Sequence, residues 1–254
     1  MSAPGFYETE QAVAEYLLFH YGTREQTLPW AFGPADALDY PRRCISECLD
    51  LEHLPAQARA LDLGCAVGRS AFELARHCTS VIGIDASTRF IAVARQLQTH
   101  GSMTYAYAEE GRLTSPATAQ VPPGIDRQRV HFEHGDAQAL RADLGAFDVV
   151  LLANLVDRLP DPRRCLAALP ARVRPGGQVI LTTPCTWLEH YTSPTQWLGG
   201  YHQDERPVRT LETLRTLLEP HFTLARTLDL PFLLREHARK YQWSVALATV
   251  WIRR

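Results

Sequence analysis

Ala60-Leu61-Asp62-Leu63-Gly64-Cys65-Ala66-Val67-Gly68-Arg69, followed by Val81-Ile82-Gly83-Ile84-Asp85, is the stretch that decides the fold. An apolar run ending in a glycine turn, then a second apolar run ending in an acid, reads as strand, turn, helix, strand. Gly64 and Gly68 let the backbone approach a ligand closely at a helix N-terminus, where free N–H groups and the helix dipole favour negative charge. Asp85 stands 23 residues after Asp62. An acid ending the second strand of a doubly wound sheet can take both ribose hydroxyls. The pattern is that of a nucleotide-cofactor site.

Glycine spacing narrows the cofactor. A nicotinamide fingerprint needs Gly-x-Gly-x-x-Gly so that a pyrophosphate rests on the turn. Here three residues separate the two glycines and an acid stands two positions before the first, so no pyrophosphate is expected. The pattern Asp-x-Gly-x-x-x-Gly resembles motif I of class I S-adenosylmethionine (SAM) methyltransferases. That resemblance implies SAM as cofactor, held by Asp62, Gly64, Cys65, Gly68, Asp85 and Ala86. His134-Gly135-Asp136-Ala137 resembles the adenine-binding motif after the third strand, which places Asp136 and Ala137 at the adenine. Asn154, after Phe147-Asp148-Val149-Val150-Leu151-Leu152, resembles the position beside the methyl group. Arg174-Pro175-Gly176-Gly177 matches the turn into strand 5. The four matches fall in order at βαβ spacing, and they imply a doubly wound, Rossmann-like α/β fold. Its seven-stranded, mostly parallel sheet would have an antiparallel edge strand.

Composition agrees with a compact enzyme. The 254 residues suffice for one large core, and we expect one methyltransferase domain spanning 1–254. A net charge of −2, from 26 basic and 28 acidic side chains, gives no field for gathering nucleic acid. The six cysteines contain no C-x-x-C pair, and Cys44 and Cys48 share an i,i+4 spacing. That favours thiols on one helix face over a disulfide or zinc framework, and no metal site is expected. The start Met1–Gly5 lacks an apolar signal core and no long apolar run follows, so the expected location is cytoplasmic, away from membranes. Cys65 is read as chosen for size.

Along the chain, residues 8–21 read as a helix closed by Gly22, and a second helix begins near Pro41 and runs toward His53. These fall in an N-terminal helical lid, residues 1–55, with the core at 56–254. Tyr7, Tyr16 and Tyr21 read either as lid residues or as core packing, and Tyr21 is assigned to the cofactor. The core follows as strand 58–63, helix 68–77, strand 80–85, helix 87–99, an exposed hairpin inserted at about 103–121, and a strand at 129–133. Strand 147–153, helix 162–171, strand 178–183, helix 211–218 and strands 221–228 and 243–253 complete it. Residues 184–208 are long, aromatic and glycine-containing, suiting a substrate-covering loop.

A narrower resemblance covers nearly the whole chain. Tyr7-Glu8-Thr9, Glu15 to Gly22, Gly33 to Leu38, Trp197-Leu198-Gly199-Gly200 and, most distinctively, Pro231 to Trp243 resemble the methyltransferase of ovothiol biosynthesis. That family methylates an imidazole nitrogen of 5-thiohistidine (4-mercaptohistidine) to give ovothiol A, and often occurs fused behind a sulfoxide synthase. This sequence lacks the synthase domain. The resemblance therefore implies that a separately encoded sulfoxide synthase and lyase supply the substrate. Methyl transfer to another small O, N or S nucleophile is the alternative.

Displacement at a sulfonium methyl needs chiefly a positioned nucleophile, with its lone pair aligned about 3 Å away. Asn154 and Asp157 are the catalytic candidates. Asp157 would bias the imidazole tautomer or accept a proton; its other reading is an N-cap or surface charge before Pro160-Asp161-Pro162. If residues 232–240 are helical, Arg235 and Arg239 share one face and can grip a carboxylate or thiolate. Glu236 would take the amino group or pair with Lys240. Tyr191, Trp197, Tyr201 and His202 populate the covering loop, either stacking on imidazole or anchoring the loop. His131 and His134 lack metal-ligand spacing.

Overall fold

The computed structural model describes residues 5–254; the leader-free start read at Met1–Gly5 lies, except for Gly5, outside them. In chain order come α1 (Glu10–Tyr21), α2 (Arg24–Thr27), α3 (Tyr40–Ser46), β1 (Arg59–Leu63), α4 (Arg69–Leu74), β2 (Ser80–Asp85) and α5 (Thr88–His100). A hairpin of β3 (Ser102–Glu110) and β4 (Leu113–Gln120) precedes β5 (Val130–His134), β6 (Phe147–Ala153), α6 (Pro162–Arg172) and β7 (Val173–Thr183). A small hairpin, β8 (Tyr201–Gln203) and β9 (Arg206–Val208), leads to α7 (Thr210–Leu218), β10 (Phe222–His237) and β11 (Lys240–Arg253).

Seven strands form one sheet in the order β10-β11-β7-β6-β1-β2-β5. The β7-β6-β1-β2-β5 run is parallel, and the last two strands add antiparallel pairings at the far edge. Neighbouring residues of the central strands point into different cores. Ala60, Val149, Leu151 and Ile180 pack with α1, α3, α4 and α5, whereas Leu61, Leu63, Val150, Leu152 and Leu181 pack with α6 and α7. Burial on both faces explains why β6 reads as an uninterrupted apolar run with no alternation. The arrangement is the expected doubly wound α/β fold.

Three local expectations change. The helix expected to run from Pro41 toward His53 ends at Ser46. There the chain turns and is stitched to β7, with Gln178 Oε1 accepting from Asp50 N at 2.9 Å and Gln178 Nε2 donating to Asp50 O at 2.7 Å. Residues 232–240 are strand and turn, not helix: the β10–β11 ladder runs without a break in pairing from Leu230↔Ala246 to Arg235↔Tyr241 and closes at His237↔Lys240. Continuous cross-strand pairing satisfies this backbone, and Pro231 is tolerated because β10 is the edge strand. The inserted hairpin is only partly exposed, since Tyr107, Ala117 and Ala119 are buried.

β7 pairs with β11 only through Leu247–Ile252, so Leu230–His237 and Lys240–Ala246 continue past the end of the sheet as a two-stranded ribbon. At the turn of this ribbon Ala238 N donates to Glu109 O at 3.1 Å, joining it to the end of the β3–β4 hairpin. α1 packs against both hairpins.

Candidate active site

β1 and β2 end side by side, and the turn between β1 and α4 is held from below by the Ile84 carbonyl, which accepts from Gly64 N at 2.8 Å and Cys65 N at 3.1 Å. Gly64 has φ +73° and a Cβ there would meet Leu155 Cδ1 at 2.9 Å, so this glycine admits the loop after β6. Gly68, φ +89°, admits Phe132: a Cβ would lie 2.5 Å from its ring. Cys65 is buried, its Sγ 3.0 Å from where a Gly83 Cβ would stand, which fits a residue chosen for size. α1 touches the turn through Tyr21, whose hydroxyl donates to the Val67 carbonyl at 2.9 Å.

Two acids serve this turn differently. Asp85 accepts from Ala66 N at 2.9 Å and Ser87 N at 2.8 Å, tying the turn to the loop after β2. Asp62 is fully buried and neither carboxylate oxygen has a hydrogen-bond partner among the described residues. Burial, reinforced by the nearby Asp85 charge, pushes the Asp62 carboxyl up to about 8. Asp85 is also raised, by burial first. A buried carboxyl with no hydrogen-bond partner among the described residues, beside a glycine turn, suits a cation, and SAM carries both an ammonium and a sulfonium. The residues present fit that cofactor.

Around this centre stand the other sequence-derived candidates. Ala86 and Asp136 are exposed and Ala137 is buried, all at the ends of the adjacent strands β2 and β5. Asn154 follows β6 with φ +51°, and its Oδ1 accepts from the Tyr40 hydroxyl at 2.8 Å and from Thr182 Oγ1 at 3.0 Å. With Oδ1 occupied, the Asn154 NH2 is left as the free donor. Tyr40 and Thr182 were not singled out from sequence; no motif marks them, and only the tertiary contact reveals their role.

Asp157 is fully buried, Oδ2 accepting from Arg158 Nη1 at 2.9 Å and Thr186 N at 3.1 Å. Burial raises its carboxyl, against the opposing pull of Arg158. It does not cap α6; Asp161 does, accepting from Arg164 N at 3.0 Å. Arg158, also missed in the sequence, lies over the Tyr191 ring, 5.1 Å from its centroid. Tyr191 stacks on Tyr7 at 6.1 Å between centroids, and Tyr7 meets Tyr16 edge-on at 5.9 Å. The Tyr7 carbonyl accepts from Ser87 Oγ at 2.9 Å, fastening this aromatic roof above the loop that carries Asp85.

The remaining substrate candidates do not converge here. Trp197 spends its indole N–H on the Thr192 carbonyl at 2.8 Å, anchoring the loop, while Tyr201 and His202 belong to the β8–β9 hairpin, with His202 exposed. Arg235 is 3% exposed, pairs with Glu109, donates to the Gln26 carbonyl and lies over the Tyr107 ring. Glu236 pairs with Lys240 at 2.6 Å, and Arg239 stands over Trp30 at 5.7 Å beside an apolar groove of about 600 Å³. Because the segment is a hairpin, the shared arginine face has no structural basis. All six cysteines are free, no metal-binding cluster occurs among the described residues, and no helix among them is long and apolar enough to cross a membrane.

Among solved structures, a SAM-dependent methyltransferase of Methanosarcina mazei superposes with TM-score 0.52 at 18% identity, covering 80% of this chain and 95% of that one. The N-methyltransferase NodS of Bradyrhizobium japonicum gives 0.50 at 17%, covering 84% and 90%. A curated ubiquinone biosynthesis O-methyltransferase of Aromatoleum aromaticum is 31% identical over 129 residues, 50% of this chain and 44% of that protein. One from Coxiella burnetii is 27% identical over 123 residues, 48% and 42%. The match thus spans less than half the length of these curated relatives. A methyltransferase-domain family model matches residues 37–224, and with the glycine turn, paired acids and strand order above, the chain belongs to that family as a SAM-dependent methyltransferase domain.

Proposed function

We propose that this chain methylates an imidazole nitrogen of 5-thiohistidine, giving ovothiol A. The observation that carries a small acceptor is the roof of Tyr7, Tyr16 and Tyr191, tied over the cofactor turn with a single guanidinium at its edge. Rings clustered beside the turn suit a compact planar acceptor better than a polymer. The choice of thiohistidine comes from the sequence resemblance at Tyr7–Thr9, Glu15–Gly22 and Pro231–Trp243.

When bound, SAM supplies an electrophilic methyl group on a sulfonium. Asp62 would face its cationic amino acid portion and Asp85 its ribose hydroxyls, while Asp136 and Ala137 border the adenine side. The Asn154 NH2, fixed by Tyr40 and Thr182, orients the acceptor. The aromatic roof excludes water, and Asp157 acts through Arg158, which it holds in place. Positioning of this kind supplies most of the rate for such a displacement.

Purified protein given SAM should methylate 5-thiohistidine on a ring nitrogen and prefer it to histidine, because polar groups matched to sulfur are left unpaired without it. Equal kcat/KM for both, or a product methylated on sulfur, overturns the reading. The curated relatives' names favour a second reading, O-methylation of a small phenolic acceptor, which the same assay with catechols addresses.

A further inference from the structure

We infer that Arg158, together with the Tyr191 hydroxyl, is a binding site for a carboxylate on the acceptor. The inference rests on the small-acceptor reading above and specifies the chemical class that the cleft selects.

Arg158 spends one nitrogen on the protein. Its Nη1 donates to Asp157 Oδ2 at 2.9 Å, to the Asp157 carbonyl at 2.9 Å and to the Thr186 carbonyl at 3.0 Å. Nε and Nη2 make no well-formed hydrogen bond to the described residues, although the Tyr7 hydroxyl stands close to the guanidinium, and the side chain is 24% exposed. A guanidinium held by one corner keeps its other N–H groups in a fixed fork, the geometry that grips a carboxylate through two parallel bonds.

An independent observation points to the same place. The Tyr191 hydroxyl is buried and has no hydrogen-bond partner among the described residues, although its ring lies directly under the guanidinium. Buried hydroxyls are nearly always paired, so an orphaned one beside an unsaturated guanidinium marks the position of a ligand acceptor. Tyr7 and Tyr16 close the remaining sides with their rings, and the Tyr7 hydroxyl stands near both Arg158 and the Tyr191 hydroxyl, where it borders the same ligand position.

Charge is distributed to match. The acids Asp62 and Asp85 sit at the ends of β1 and β2, and the guanidinium sits after β6. A cationic cofactor at the first and an anionic acceptor group at the second would each meet opposite charge, leaving the acceptor nitrogen between them near Asn154.

Binding is measured by calorimetry on protein saturated with S-adenosylhomocysteine, comparing histidine with histamine and 5-thiohistidine with 5-thiohistamine, pairs that differ only in the carboxylate. The wild type should bind the carboxylate-bearing member of each pair at least about tenfold more tightly. Replacing Arg158 alone would strand the buried Asp157 charge, so the informative variant is Asp157→Asn with Arg158→Met. It should abolish the preference while S-adenosylhomocysteine binding is kept, and Tyr191→Phe should reduce it. No preference in the wild type, or an undiminished preference in the double variant, overturns the inference. If the double variant does not fold, Arg158→Lys, which keeps charge but loses the fork, must still reduce the preference. A carboxylate preference without methyl transfer to 5-thiohistidine leaves the site standing and removes thiohistidine as the substrate.

Discussion

The backbone N–H of Ala66 donates to Asp85 Oδ2 at 2.9 Å, so the acid at the end of one strand holds the turn at the end of its neighbour. Ala66 adopts φ +47°, an uncommon conformation for a residue with a side chain. The carboxylate that stabilises it keeps further lone pairs, and the proposed ribose contact would couple turn geometry to cofactor binding.

From this coupling, Asp85→Ala should weaken SAM about ten- to a hundredfold, through loss of charge-assisted hydrogen bonds worth roughly 1.5–3 kcal/mol. Asp85→Asn keeps one acceptor and should lose less. Calorimetry returning the wild-type affinity for the alanine variant would remove Asp85 from the ribose site.

Asp62 gives a pH signature. Its carboxyl titrates at about 8 in the fold because of burial and Asp85, against about 3.9 in an unfolded chain. Between those values the native state holds the extra proton, so this group's contribution to stability is fullest below the unfolded value and is lost as pH rises through the folded one. A cation placed beside it favours the ionised form, so SAM binding should expel the proton. Affinity should then rise by up to about tenfold per pH unit below pH 8. Asp62→Asn should flatten that slope; proton release measured in buffers of different ionisation enthalpy, if unchanged in the variant, would place the titration elsewhere.

Arg235 belongs to the scaffold. Buried between Glu109, the Gln26 carbonyl and the Tyr107 ring, it joins the two hairpins that brace α1. Arg235→Met should cost about 2–4 kcal/mol of stability, discounted because Glu109 is partly exposed. The KM for acceptor should stay within about twofold, a change too small to mark a lost binding interaction. A large rise in KM with the melting temperature preserved would restore it to substrate binding.

Tyr40 acts through Asn154. Removing its hydroxyl leaves Asn154 Oδ1 with only the Thr182 donor and loosens the amide, so Tyr40→Phe should lower kcat about tenfold with SAM affinity nearly intact. Asn154→Ala should cost more and should not add to Tyr40→Phe in a double variant. Additive losses would mean that the two residues work independently.

The cofactor half of the site was legible because it is local. Asp62, Gly64, Gly68 and Asp85 lie within one strand–turn–helix–strand unit, and hydrophobic periodicity with glycine spacing places them without any long-range contact. For the same reason β6, β7 and the flanking helices fall close to where apolar runs and caps put them. Residues 232–240, considered as a helix, are strand and turn; a charged segment opened by proline satisfies helix rules as well as strand rules. Pairing with a partner that also leaves the sheet decided between them, and that choice separated Arg235 from Arg239. Arg158 and Tyr40 were equally unreadable, and Tyr7, Tyr16 and Tyr191, each marked singly in the sequence, gave no sign that they pack together, since all these contacts join residues far apart in sequence. Sequence alone determined the doubly wound sheet and the cofactor turn, whose physics is short-range. Only the tertiary structure decided which side chains gather around that turn, because burial and pairing across distant segments set which polar groups remain unsatisfied.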